Sequence, residues 1–196
     1  MLQRESLTGS STRSRALFLD RDGVININHG YVCSVDNFEF VNGIFDLARS
    51  ACVNNFKIVV ITNQSGIGRG FYSEEQFHQL TSWMCNEFLN AGAAIERVFF
   101  SPFHPIEGLG KYKKDDFSRK PNPGMILQAQ EELGLDLKNS ILIGDKSTDI
   151  EAGIAAGIRL NFFLGQERPL EMVSLQCLKI ASLLEVVPFL NNHIEP

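Results

Sequence analysis

The run Ala16-Leu17-Phe18-Leu19, followed at once by Asp20-Arg21-Asp22-Gly23, constrains this chain more than any other stretch. Consecutive apolar residues that end abruptly in polar ones describe a short strand buried on both faces, as in parallel sheets. Ligands of open α/β sheets gather beyond the carboxyl ends of such strands, and here two carboxylates stand at that end. If strand geometry persists through Arg21, Asp20 and Asp22 project to the same side. Gly23 then allows a turn with either sign of φ. An Asp-x-Asp-Gly turn without chemistry is the plain alternative; the downstream pattern argues against it.

That pattern is the same motif repeated. Residues 57–63 (Lys-Ile-Val-Val-Ile-Thr-Asn) form a second buried strand ending in Thr62 and Asn63, 95–100 a third, and 140–144 a fourth ending at Asp145. Residues 159–163 and 175–180 supply a fifth and a sixth. Between them the apolar period lengthens to that of helices. One spans 43–55, and one runs from a Ser73/Gln76 capping box to about Asn90. A third starts near Pro123 and stops at Gly134, a fourth covers 150–157 and a closing helix 182–191. Alternating strands and helices predict a doubly wound, mostly parallel sheet with helices on both faces. A single domain over 15–196 follows a disordered tail, 1–14. The glycines of Gln64-Ser65-Gly66-Ile67-Gly68-Arg69-Gly70 do not fit the dinucleotide fingerprint G-x-G-x-x-G, nor is their strand the first. They read instead as a loop over the site. Residues 101–121 form a loop longer than such connections usually are, which suggests function.

Composition narrows the class. A chain of 196 residues with 44% hydrophobic and 21% charged content suits one soluble globular domain. A net charge of -5 argues against general nucleic-acid binding. The four cysteines form no C-x-x-C pair, as expected in a reducing cytosol. No apolar run is long enough for a membrane span. A cytoplasmic monomer without nucleic-acid or membrane partners is expected.

Asp20 and Asp22, Thr62 and Asn63, Arg119 and Lys120, and Asp145 converge on one rim of such a sheet. Carboxylates, a hydroxyl and a cation together describe Mg²⁺-assisted phosphoryl transfer, because Mg²⁺ takes hard oxygen ligands and a substrate phosphate completes its shell. Asp20 is placed to attack phosphorus and form an aspartyl-phosphate. Asp22 is placed to protonate the leaving oxygen and then to activate water. Thr62 and Lys120 are placed to stabilise the transferring oxygens. Asp149 reads as a favourable charge at a helix N-terminus.

These four motifs, in this order, resemble those of the haloacid dehalogenase superfamily. The wording of Phe18 to Asn26, of Thr62 to Gly70 and of Arg119-Lys120-Pro121-Asn122-Pro123-Gly124-Met125 is similar to one branch, that of heptose bisphosphate and histidinol-phosphate phosphatases. The resemblance implies a Rossmann-like fold with a small loop insert, 101–118, instead of a full cap domain. It implies Asp20 as nucleophile, Asp22 as acid/base, and Mg²⁺ on the Asp20 carboxylate, the Asp22 carbonyl and Asp145. Substrate contacts would come from Asn28, His29, Gly30, Tyr31, Asn63, Gln64, Ser65, Arg119 and Lys146. Members of the branch hold a structural zinc in the insert, at positions that here read Ser101, Phe103, Asp116 and Ser118; His104 remains without a thiolate, so no zinc is expected. Aromatic packing of Phe99, Phe100, Phe103, Leu109, Tyr112 and Phe117 is expected to order the insert instead.

The expected activity is Mg²⁺-dependent hydrolysis of a sugar phosphate, the 7-phosphate of a heptose 1,7-bisphosphate. Arg69, Lys111, Lys113 and Lys114 favour a bisphosphate over cationic histidinol phosphate. A phospho-acceptor receiver domain uses a similar acidic cluster, but needs no loop before Lys120.

Overall fold

The computed structural model describes residues 13–165 and 177–191. The strands are β1 (Arg15–Leu19), β2 (Phe56–Asn63), β3 (Ile95–Ser101), β4 (Ile141–Gly144), β5 (Leu160–Leu164) and β6 (Cys177–Ile180). All pair in parallel, in the order β3-β2-β1-β4-β5-β6, so the sheet is open and β1 lies at its centre. The helices are α1 (Ile44–Val53), the single turn α2 (Ser65–Gly68), α3 (Glu74–Asn90), α4 (Gly124–Leu133), α5 (Ser147–Ala155) and α6 (Val187–Leu190).

Alternation along β1 divides the core. Leu17 and Leu19 face a layer made by α1, α3 and the C-terminal turns, through Ile44, Leu47, Leu80, Met84, Phe88 and Leu190. Ala16 and Phe18 face α4 and α5, through Met125, Ile126, Ala129 and Ile150. Every one of these side chains is buried, and each fully buried large aliphatic or aromatic side chain contributes roughly 1.5–3 kcal/mol. From Ala16 to Leu19 the strand is apolar without interruption because both of its faces are covered there.

The expected capping box holds: Ser73 Oγ accepts the Gln76 N–H (3.1 Å) and Gln76 Oε1 accepts the Ser73 N–H (2.8 Å). The closing helix differs from expectation. Residues 183–186 form a 3-10 turn and α6 is one turn long. Pro188 explains the break: it has no N–H to donate back to Leu184, and it fits only the first turn of a new helix. Residues 1–12, most of the expected tail, and 175–176 of the expected sixth strand lie outside the described residues. Ser14, counted with that tail, is already tied to the domain, its carbonyl accepting the Asp136 N–H at 2.9 Å.

Candidate active site

The sheet order turns back between β1 and β4, since the chain leaves β1 towards β2 and leaves β4 towards β5. The carboxyl ends of these two strands therefore open a crevice. Asp20 follows β1, and its N–H donates to the Ile143 carbonyl (3.0 Å), which carries the sheet ladder into the site. Asp145 follows β4. Gly23 turns with φ +105° directly against it, and a Cβ there would lie 2.1 Å from Asp145 Oδ2. Glycine is thus required at this position by both the turn and the contact.

Lys120 arrives from the segment before α4 and is buried. Its Nζ lies 2.7 Å from Asp20 Oδ1 and 2.7 Å from Asp149 Oδ1, and donates to the Ile61 carbonyl at 2.8 Å. Asn63 pins the Lys120 main chain, accepting its N–H (3.1 Å) and donating to its carbonyl (3.0 Å). Asp149, in the first turn of α5, also accepts the N–H groups of Asp145 (3.1 Å) and Lys146 (3.0 Å) through Oδ2.

Carboxylate oxygens of Asp20, Asp145 and Asp149 lie within 4.8 Å of one another. One ammonium therefore serves several carboxylates, and the electrostatics reflect it. Burial raises the Asp20 carboxyl, Lys120 pulls it back, and Asp149 and Asp145 add to the rise, leaving it at about 7. Burial likewise raises Asp145, against the pull of Lys146. Burial alone would lower Lys120, but Asp149 and Asp20 outweigh it and hold the ammonium above its usual range. Asp145 Oδ1 is buried and has no hydrogen-bond partner among the described residues; Lys146 Nζ is 3.8 Å away. Such an oxygen, next to two more carboxylates, is an oxygen donor set that fits a hard cation such as Mg²⁺.

Asp22 occupies the opposite wall. Its carboxylate accepts from Arg21 Nη2 (2.8 Å), Asn26 Nδ2 (3.1 Å) and Gln64 Nε2 (2.9 Å). Gln64, itself buried, also donates to Thr62 Oγ1 (2.7 Å) and accepts from the Tyr72 hydroxyl. Burial holds that phenol above its usual range, so it stays a donor.

A cleft of about 360 Å³ opens above these groups. Asp20, Asp22, Asn28, Gly30, Tyr31, Thr62, Asn63, Gln64, Ser65, Arg119, Lys120 and Lys146, all expected, line it. His29 points elsewhere, 3.6 Å from Glu39, and Asp145 lies below the lining within the carboxylate cluster. Tyr72, Thr148, Asp149 and Gly66 also line the cleft and were not anticipated. Asp149 carried a legible signal, a carboxylate one turn into a helix that starts at a strand end. The contribution of Tyr72 depends on α2 folding back and leaves no local trace.

Against this geometry, comparison with known proteins is decisive. A protein of Burkholderia mallei named D-glycero-alpha-D-manno-heptose-1,7-bisphosphate 7-phosphatase is 46% identical over 180 residues, covering 92% of this chain and 95% of that protein. The chain belongs to the haloacid dehalogenase superfamily. Within it, the chain is one of the phosphatases. The D-glycero-beta-D-manno-heptose-1,7-bisphosphate 7-phosphatase of Haemophilus influenzae is 44% identical, covering 80% of this chain and 84% of that one. The family model described as HAD-hydrolase-like matches residues 117–165, the stretch that holds Lys120, Asp145 and Asp149. Among solved structures, a HAD-like phosphatase from Mesorhizobium loti superposes with a TM-score of 0.80 at 30% identity, over 93% of this chain and 90% of that one. The D,D-heptose 1,7-bisphosphate phosphatase of B. bronchiseptica, solved with magnesium and phosphate, shares the fold with a TM-score of 0.76 at 23% identity, over 90% and 97%.

Proposed function

We propose that this phosphatase hydrolyses the 7-phosphate of D-glycero-D-manno-heptose 1,7-bisphosphate by way of an aspartyl-phosphate on Asp20. The observation that carries the proposal is the buried Asp20–Lys120–Asp149 array at the floor of a cleft whose rim bears Arg119 and Lys146. The names of the relatives supply the substrate class.

In this reading a carboxylate oxygen of Asp20 bonds to phosphorus while the bond to the sugar oxygen breaks. Asp22, once protonated, gives its proton to that leaving oxygen. Water then attacks the phosphorus of the aspartyl-phosphate, Asp22 takes a proton from it, and inorganic phosphate leaves with the Asp20 carboxylate restored. Lys120 and the Thr62 hydroxyl stabilise charge on the phosphoryl oxygens throughout. Mg²⁺, held by Asp20, Asp145 and the Asp22 carbonyl, would neutralise phosphate charge and orient it against the nucleophile. Asp149 serves Lys120 and the turn after β4 rather than the substrate.

Arg119 and Lys146 favour a second phosphate, whereas the amine of histidinol phosphate wants a carboxylate at the rim. A cytoplasmic location is part of the same proposal; among the described residues, no helix is long and apolar enough to cross a membrane. The deciding experiment is phosphate release from both anomers of the bisphosphate, from the 1-phosphate and from histidinol phosphate, with Mg²⁺ supplied or chelated. Fast Mg²⁺-dependent release from a bisphosphate, with little from the other two, is the expected result. Preference for histidinol phosphate would replace the substrate assignment.

A further inference from the structure

The insert contributes no side chain to the cleft, although a loop of its length suggests function. It is nonetheless fastened to the neighbouring chain. The Leu109 N–H donates to the Gly68 carbonyl at 2.7 Å, and Pro102 O lies where a Cβ on Gly68 would meet it at 2.3 Å.

Tyr31 does line the cleft, and it does so from a conformation that needs support. It follows Gly30 (φ +77°) and itself has φ +50°, a left-handed backbone that a bulky residue adopts at a cost. Its ring meets Phe71 edge-on at 4.6 Å. Arg69 covers both rings, 5.3 Å from Tyr31 and 5.0 Å from Phe71, and its guanidinium donates to the Tyr31 hydroxyl. Among the described residues, the remaining partner of that guanidinium is Glu107 of the insert, 3.0 Å away. Glu107 is fixed at both ends: its N–H donates to His104 Nδ1 (2.9 Å), and its carboxylate lies 3.5 Å from His104 Nε2.

We infer that Glu107 and Arg69 are positioning residues for substrate selection: the insert fixes Arg69, Arg69 fixes Tyr31, and Tyr31 shapes the cleft mouth for the sugar. An exposed ion pair alone is worth little. Here one planar guanidinium is engaged by a carboxylate, a phenol oxygen and two ring faces at once, an arrangement Lys cannot reproduce. The identity of the sugar rests on the function proposed above; the mechanical link does not.

Glu107→Gln tests the link, because Glu107 is half-exposed and distant from the reacting groups. NMR on the full chain should show the Tyr31 ring signals, shifted by the Phe71 ring in the wild type, moving towards their free positions in the variant, with the signals of β1 and β4 unchanged. In kinetics, KM for the heptose bisphosphate should rise roughly tenfold, the size of one charge-assisted hydrogen bond, with kcat within about twofold. Hydrolysis of the small substrate p-nitrophenyl phosphate should not change. Unchanged Tyr31 ring signals, or an equal KM rise for both substrates, would overturn the inference. A wild-type enzyme that ignores the bisphosphate would overturn the substrate assignment alone, with the Tyr31 ring signals still deciding the link.

Discussion

Lys120 is the residue on which the others depend, because its ammonium is the buried cation set between Asp20 and Asp149. Asp149 also accepts the Asp145 and Lys146 N–H groups, so Asp149→Ala leaves two main-chain donors without that partner and should cost roughly 1–3 kcal/mol in denaturant unfolding, while Lys120 keeps Asp20. It should also lower kcat, since Lys120 loses one of the two carboxylates that aim it. Asp20→Asn is a different loss. It removes the nucleophile without adding bulk, so kcat should fall on the order of 10⁴-fold or more, with the fold retained. Steady-state turnover close to wild type by this variant would exclude the covalent route. Asp145→Ala removes a carboxylate whose buried Oδ1 has no hydrogen-bond partner among the described residues. The Mg²⁺ concentration for half-maximal activity should therefore rise by about tenfold or more, because Mg²⁺ tolerates poor coordination badly. A variant with an unchanged Mg²⁺ requirement would leave Asp145 as the neighbour of Gly23 only.

Among elements, the strands and their carboxyl ends were legible because a strand buried on both faces must be apolar throughout and must stop at the first charge. Asp20, Thr62 and Asp145 were readable for that reason, and Lys120 as one of two cations ahead of a helix start. The partners of Asp149 and Tyr72 were not, since Lys120 and Gln64 reach them through tertiary folding that no spacing encodes. The insert was only partly legible. Phe99 is buried and Phe100 packs on Phe77 at 4.5 Å. Tyr112 packs against Ile67, Tyr72 and Phe77 and beside Phe103, whereas Leu109 and Phe117 are exposed, so four of the six expected side chains take part. Polar brackets supply the rest. Ser118 Oγ donates to Asp116 Oδ1 (2.6 Å) and lies 3.1 Å from the Ser101 hydroxyl, and the Phe103 carbonyl accepts from Arg119 Nη1 (3.0 Å). These are the positions that the resemblance marks for zinc, and here they bond to one another and to Arg119. A structural zinc would supply on the order of 10 kcal/mol, so its presence would be conspicuous. Purified enzyme should contain less than stoichiometric zinc, and a zinc-selective chelator should leave its melting temperature unchanged. Ser118→Ala should lower that temperature by a few degrees, as loss of about 1 kcal/mol does in a domain of this size.

The whole molecule concentrates its unfavourable charge at one point, the turn-back of the sheet order, and its stability should record this. Asp20 titrates at about 7 in the fold against an ordinary value of 3.8. A carboxyl raised in this way contributes its full stability below the unfolded value and loses it as pH rises through the folded value. The metal-free protein should therefore lose stability between roughly pH 4 and pH 7, by a few kcal/mol at most, since each tenfold change in proton affinity corresponds to about 1.4 kcal/mol. Asp145, raised in the same direction, adds to the slope, whereas Lys120, also raised, acts only in the alkaline range. Asp116 is lowered and has the opposite sign, but its contribution falls away only as pH drops below the ordinary carboxylate range, outside this window. Mg²⁺ binds the ionised cluster and stabilises by mass action, so it should raise the melting temperature more at pH 8 than at pH 5. Thermal melts of EDTA-treated enzyme across this range, with and without Mg²⁺, make the check. Asp20→Asn should flatten the metal-free slope and melt higher than wild type at pH 8, because the uncompensated charge has gone. A chelated wild type that gains stability from pH 5 to pH 8, or an Asp20→Asn variant with the wild-type slope, would show that the carboxylates are already balanced without the metal.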